Sequence, residues 1–317
     1  MKKILSLGTG GFVLSNFIRK AVKEKEPYEF IGIDKITNTS ALNTVLSNQN
    51  NRFYMAEAGN SHILNNILDF EQPEVCIFGA ENTSIQDSIS NTKEFMSNSI
   101  NGLQSVIDAC IKFNVKLVYL STDSVYGQLN SESEASFNEV SLLNPNNPFA
   151  ISKVTNELLI QSASKTHGLK YNIIRSCNNY GPRQHKNKFI PNTIKCILNN
   201  EKIPIYGKGD NIRSWIHVQD HCSAILKILK DGKDNEIYNV SDSQEFSNLE
   251  VVYEICKIME KGTELISFVE DKQLHDFRYS IDNKKLKELG WEPEFKFKKS
   301  GLQHTILWMK NNAWWLR

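Results

Sequence analysis

Six short runs in the first half of the chain alternate with stretches of helical periodicity. They are KILSLG (3–8), FIGID (30–34), FYMAEA (53–58), EVCIFGA (74–80), KLVYLST (116–122) and YNIIRS (171–176). Each is largely apolar and rich in β-branched or aromatic residues, which reads as a strand buried on its faces. Such strands need cover on both sides, and the intervening helical patterns supply it. The clearest of these run from Asn91 to Phe113 and from Pro148 to His167. Short helical crossovers between continuous apolar strands make a doubly wound α/β fold around a parallel sheet.

After about residue 177 this rhythm breaks into loops, a short strand IPIYG (203–207), a helix after Val218 and a helical C-terminus. No linker or internal repeat is visible. Residues 1–177 are therefore expected to form the sheet domain. Residues 178–317 form a smaller part, some of whose C-terminal segments return to the sheet. With 317 residues, 40% apolar and 23% charged, the chain can bury a real core. A formal net charge of +1 gives no broad attraction to nucleic acid or membrane. Six cysteines without a CxxC pair point to buried thiols in a reducing compartment. No run approaches the length of a membrane span, and the start MKKILSLGTGG reaches glycine too soon for a signal peptide, so a cytoplasmic location is expected.

GTGGF, Gly8 to Phe12, follows the first strand and opens a helix, the context a pyrophosphate-binding turn requires. Asp34 ends the second strand, at the distance of an acid that bonds the adenosine ribose hydroxyls. A carboxylate there favours NAD over NADP, because it repels a 2′-phosphate. Candidate cofactor contacts are Gly8, Gly11, Phe12, Val13, Asp34 and Lys35. The third glycine of a GxxGxxG reading falls on Leu14, so the helix or the loop must shift. His217 and His221 are four apart, as on a metal-binding face, but no third ligand of suitable spacing accompanies them and no metal is expected. Glu81 and Asp87 follow a strand end, within reach of the cleft, and surface solvation is expected for both. Trp314 and Trp315 follow an amphipathic helix and are expected to cap a core.

Several segments together carry a resemblance: LSTDSVYG (120–127), NPFAISK (147–153), NNYGP (178–182), KFIP (188–191), PIYGKGDNIRSWIHVQDH (204–221) and HDFRYSIDNKKLKELGWEP (275–293). The chain resembles, over nearly its whole length, the extended short-chain dehydrogenase/reductases that act on nucleotide sugars. Within them it is most similar to the dTDP-glucose 4,6-dehydratases. The resemblance implies a Rossmann domain with a smaller nucleotide-sugar-binding part. It also implies a homodimer built through a four-helix bundle of the helices 91–113 and 148–167. In those lyases bound NAD oxidises the sugar C4 hydroxyl, water leaves across C5–C6, and the hydride returns to C6.

By the same resemblance, Thr122 matches the hydroxyl that bonds O4, Asp123 the general acid, and Lys153 the lysine beside the catalytic phenol and the cofactor. Asn178, Lys188, Phe189, Pro204, Ile205, Tyr206, Arg213 and Asn248 match positions that hold a dTDP- or UDP-linked hexose, with Arg213 on the diphosphate. His275 falls in a loop that closes over the nucleotide, and Asn179 matches a cofactor contact. Ser124 stands where the family has its glutamate base, and Phe149 where it has the tyrosine. Gly59 falls near a family aspartate that contacts adenine, and Ser99 on a usual asparagine. Phenylalanine can neither give nor take a proton, and losing a positioned acid or base removes roughly a hundred- to ten-thousand-fold of rate. Three readings follow: an active enzyme using Thr122, Asp123 and Lys153; a nucleotide-sugar-binding homologue that barely turns over; or a non-catalytic partner or scaffold.

Overall fold

The computed structural model describes residues 2–35, 51–271 and 276–317. His275 lies outside them. The chain divides into two compact units of three stretches each. One comprises Met1–Gly127, Ser141–Arg175 and Cys222–Tyr238, and the other Gln128–Val140, Ser176–His221 and Asn239–Arg317.

In the first unit the strands are β1 (Lys2–Leu7), β2 (Tyr28–Asp34), β3 (Arg52–Met55), β4 (Val75–Phe78), β5 (Lys116–Thr122) and β6 (Tyr171–Ser176). The helices are α1 (Phe12–Lys23), α2 (Ser61–Glu71), α3 (Ile85–Ser90), α4 (Thr92–Phe113) and α5 (Pro148–His167). In the second unit follow β7 (Asn178–Tyr180), α6 (Phe189–Asn199), β8 (Ile203–Tyr206) and β9 (Ile212–His217). The helix α7 (Val218–Asp231) and the start of β10 (Glu236–Val240) lead the chain back to the first unit. β11 (Glu245–Ser247), α8 (Asn248–Ile258), β12 (Ile266–Val269), β13 (Arg278–Tyr279), α9 (Lys284–Glu288) and α10 (Leu302–Asn311) complete the second.

The large sheet has the order β10-β6-β5-β4-β1-β2-β3, and β5, β4, β1, β2 and β3 run parallel to one another. Its central strands bury both faces, as their continuous apolar character requires, whereas Arg52 and Met55 of the edge strand β3 are exposed. Leu5, Ile31, Phe78, Leu117 and Ile173 pack with residues of α2, α4 and α5. Phe30 meets Phe17 of α1 edge-to-face at 5.7 Å. Of the run FYMAEA only Phe53, Tyr54 and Met55 lie in β3, which begins one residue earlier at Arg52. Among the described residues this edge strand pairs with β2 alone, and its register ends where β2 ends, at Asp34 opposite Met55. In the second unit β9 lies between β11 and β13 and also pairs with β7. A separate two-stranded sheet pairs β8 with β12.

α5 keeps the bounds its sequence dictates. The Asn147 side chain accepts from Ala150 N at 2.9 Å, Pro148 takes the first helical position, and Gly168 ends the helix at φ 73°. Its buried face is unusual in carrying Lys153, Asn156 and Glu157 among Phe149, Ile160 and Ala163. Glu157 Oε2 accepts from Arg175 Nη2 at 2.6 Å and Oε1 from the Ser121 hydroxyl at 2.5 Å, while Arg175 Nη1 donates to Tyr126 OH at 2.7 Å. All six cysteines are buried free thiols. Among the described residues no helix is long and apolar enough to cross a membrane.

Candidate functional site

Two groups of residues, one in each unit, carry the chemistry anticipated from the sequence. At the end of β1, Gly8 has φ 89°, and a Cβ there would lie 2.9 Å from the Ala80 backbone. Only glycine fits both constraints. Gly11 caps α1 without any side-chain hydrogen bond, so the first N–H groups of the helix face outward with the favourable end of its dipole. Phe12 and Val13 form the first turn of α1, both half-buried. Asp34 Oδ2 accepts from Gly10 N at 2.6 Å and Oδ1 from Lys35 N at 2.7 Å. Burial pushes this carboxyl up and the two N–H donors oppose the rise. A glycine-only turn, an uncapped helix start and a carboxylate at the end of β2 fit a dinucleotide.

Two departures from the family pattern have a local structural reason. Leu14 is buried, and its side chain lies over Gly79, where a Cβ would come within 3.1 Å of Leu14 Cδ1. At Gly59 a Cβ would stand 2.9 Å from Gly102 Cα of α4, so the loop has closed onto the helix where an aspartate would need room.

Thr122 ends β5 and caps the 3₁₀ turn Asp123–Tyr126. Its hydroxyl donates to Asp123 Oδ1 at 3.1 Å and lies 3.2 Å from Ser124 Oγ. Phe149 and Lys153 lie one turn apart on α5, both buried. The Lys153 ammonium is 2.5 Å from Glu81 Oε2 and 2.9 Å from Leu120 O, and stands 4.8 Å over the Tyr119 ring. Glu81 is therefore not solvated as expected. Its side chain is 5% exposed, and Oε1 accepts from Asn156 Nδ2 at 2.8 Å, Ser99 Oγ at 2.9 Å and Tyr119 OH at 3.3 Å. Asp87 is exposed, as expected. Burial and then the Glu81 charge hold the Tyr119 phenol well above its ordinary range, so it stays protonated, donating to Glu81 while it accepts from Asn156 Nδ2 at 3.2 Å. Glu81 and Asn156 thus join Lys153 in one buried cluster, Asn156 being absent from the candidates taken from the sequence. Asn156 was findable, because it sits three residues from Lys153 on the same helix face.

In the second unit Asn178 and Asn179 open β7. Asn179 Nδ2 donates to Ser176 Oγ and Cys177 O, both at 3.0 Å, and Oδ1 lies 2.7 Å from His221 Nδ1. Lys188 precedes Phe189 at the start of α6. Along β8 Ile205 is buried, Pro204 half-buried and Tyr206 exposed. Arg213 on β9 is 8% exposed. It donates to the carbonyls of Ile212 at 2.7 Å, Asp276 at 2.8 Å and Phe277 at 3.1 Å, and lies 4.7 Å over the Tyr279 ring. Asn248 opens α8 behind a capping box made by Ser247 and Glu250. His217 and His221 face different partners. His217 stacks on Phe295 at 4.0 Å and lies 3.2 Å from His304. Burial lowers His217 to about 3, helped by His304, and lowers His221 to about 4. Trp315 Nε1 donates to Gln184 O at 2.9 Å, whereas Trp314 is 63% exposed.

Asp242 gives a pH dependence. Burial raises its carboxyl from 3.8 to about 7, against the Gln244 N–H and the charge of Lys296. Between those two values the folded state binds the proton that the unfolded state has lost. This group therefore makes stability fall as pH rises, by up to about 1.4 kcal/mol per unit. Asp242→Asn should gain on the wild type across roughly pH 4 to 7 and hold a constant margin above it, measured by urea midpoints at each pH.

Residues 4–241 match the model of the NAD dependent epimerase/dehydratase family. The chain is 34% identical over 307 residues to the low-salt glycan biosynthesis protein Agl12 of Haloferax volcanii, covering 96% of this chain and 97% of that protein. It is 34% identical over 338 residues to a dTDP-glucose 4,6-dehydratase of Haemophilus influenzae, covering 99% of each. Among solved structures, dTDP-glucose 4,6-dehydratase from Bacillus anthracis in complex with NAD superposes with a TM-score of 0.91 at 33% identity, over 99% of this chain and 98% of that one. The enzyme of the same name from Streptomyces venezuelae, also with NAD bound, gives 0.93 at 31% identity over the same shares. A match over three-quarters of the sequence and relatives aligned end to end agree with the glycine turn, Asp34 and the parallel sheet: the chain belongs to the NAD dependent epimerase/dehydratase family, in its nucleotide-sugar branch.

Proposed function

We propose that the protein binds NAD and a dTDP- or UDP-linked hexose, and that its 4,6-dehydratase turnover is slow. One observation carries this reading: the ammonium of Lys153 is neutralised at 2.5 Å by buried Glu81, with phenylalanine at 149. A phenol beside an ammonium becomes a usable base because the positive charge lowers its pKa. Here the charge is already taken, and the phenol beside it, Tyr119, is buried and held above its ordinary range by burial and Glu81. Ser124, in the place of the second base, has a hydroxyl whose neighbour is another hydroxyl, that of Thr122.

Bound NAD supplies the acceptance and return of a hydride. Gly8, Gly11, Phe12, Val13, Asp34, Lys35, Lys153 and Asn179 are its proposed contacts, supported by the turn geometry and the fixed Asp34 carboxylate. Asn178, Lys188, Phe189, Pro204, Ile205, Tyr206, Arg213, Asn248 and His275 are the proposed contacts of the nucleotide sugar. The planar fork of Arg213 suits phosphate oxygens taken in pairs. Homodimer formation through α4 and α5 belongs to the proposal. A groove of about 320 Å³ along these two helices, whose lining mixes Ile111 and Leu159 with Asp108, Lys112 and His167, is the face proposed to meet a second copy.

The active-enzyme reading keeps one observation in its favour, the Thr122 hydroxyl bonded to Asp123, which preserves the acid and the O4 partner of the family. Calorimetry with dTDP, UDP and GDP is the test. Heat from at least one of them is expected. Silence with all three at millimolar concentration, with no thermal shift, would leave only the scaffold reading.

A further inference from the structure

The partner of Lys153 has no assigned role. Lys153 and Glu81 are brought together across 72 residues of sequence, with side chains 6% and 5% exposed. The carboxylate is held on both oxygens. Oε2 takes the ammonium, while Asn156, Ser99 and Tyr119 converge on Oε1. These donors come from α5, α4 and β5, three elements packed in one unit. A buried charge pair fixed this closely acts on its surroundings as a neutral unit rather than as a cation.

We infer that Glu81 is a positioning residue that cancels the charge of Lys153 toward the cofactor, and so sets the balance between oxidised and reduced nicotinamide. The inference rests on the reading that Lys153 stands beside bound NAD. The oxidised nicotinamide ring carries a positive charge and the reduced ring none. An unpaired ammonium nearby therefore repels the oxidised form selectively, and in a buried site that repulsion is only weakly screened. With the carboxylate in place the selective repulsion is gone. The site then retains the oxidised cofactor, which fits a protein that binds its ligands and seldom transfers hydride.

The experiment titrates the purified protein with oxidised and with reduced NAD and follows the ratio of their dissociation constants. Glu81→Gln should raise the ratio of oxidised to reduced by about tenfold or more, equivalent to about 30 mV in the potential of the bound couple. Lys153→Met should lower it, because a lone carboxylate favours the cationic ring. Glu81→Asp should stay near the wild type. The double variant Glu81→Gln with Lys153→Met, neutral at both positions, should return close to it. A residue that merely supports the fold would weaken both forms alike, so an unchanged ratio in Glu81→Gln overturns the inference. If that variant does not fold, an unchanged ratio in Lys153→Met overturns it equally. Failure of the wild type to bind either form would overturn both this inference and the proposed cofactor. Binding of both with an unmoved ratio would remove this inference alone.

Discussion

Phe149→Tyr together with Ser124→Glu is expected to convert a nearly inert protein into one that forms a 4-keto-6-deoxy sugar. The gain should be at least about a hundredfold over the wild type, the low end of what one positioned base contributes. The two changes act in different half-reactions. Tyrosine supplies the base for oxidation at C4 and glutamate the base for elimination across C5–C6, so each alone should give little. Position 149 lies one helical turn before Lys153, where a phenol would compete with Glu81 for the ammonium. The restored activity should therefore rise toward alkaline pH, with a phenol less depressed than one facing an unshared lysine. Product formation from dTDP-glucose and UDP-glucose decides the matter. A wild type that already turns over briskly would show that Asp123, Lys153 or a bound water supplies the bases. A silent double variant that still binds NAD and sugar would show that the obstacle lies in geometry beyond the two side chains.

Glu157→Gln should be the most destabilising of the conservative changes near the site, by about 3–5 kcal/mol, because it leaves Arg175 buried without its counter-charge. Glu157 is fully buried and receives Arg175 through both Nε and Nη2. Urea unfolding should show a lowered midpoint with an unchanged slope. Replacing both partners, Glu157→Leu with Arg175→Met, should recover most of the loss, since two apolar side chains leave no stranded charge. The damage should also reach function. Arg175 holds Tyr126 and Glu157 holds Ser121, and these two residues flank Thr122, Asp123 and Ser124.

The sheet was legible wherever local chemistry decides structure. KLVYLST and YNIIRS become β5 and β6 without change, and α5 starts and stops at Pro148 and His167 because Asn147, Pro148 and Gly168 are cap residues. FYMAEA was over-read because an edge strand stops where its one neighbour stops. The glycine turn and Asp34 were legible as a unit, since strand, turn, helix and acid recur at fixed spacing. Glu81 was not. It follows β4 in a polar stretch that reads as a solvated loop, and only the tertiary fold brings α5 over it. Arg213 shows the same limit from the other side. Its residue type suggests phosphate, while its present partners are backbone carbonyls at 212, 276 and 277 that no local pattern reveals.

Leu14 and Gly79 carry a lesson about where a substitution is compensated. Taken alone, the leucine looks like the loss of a glycine that helix packing requires. Its branched end rests on a residue without a side chain just beyond β4. The room has been moved across the helix–sheet boundary rather than lost, and volume is balanced over the pair, not at the position. A chimera that carries α1 of this protein into a relative with a larger residue at the position of Gly79 would therefore inherit a clash, although every residue of the transplanted turn is correct. The transferable unit of this cofactor turn is the turn plus the glycine that faces it.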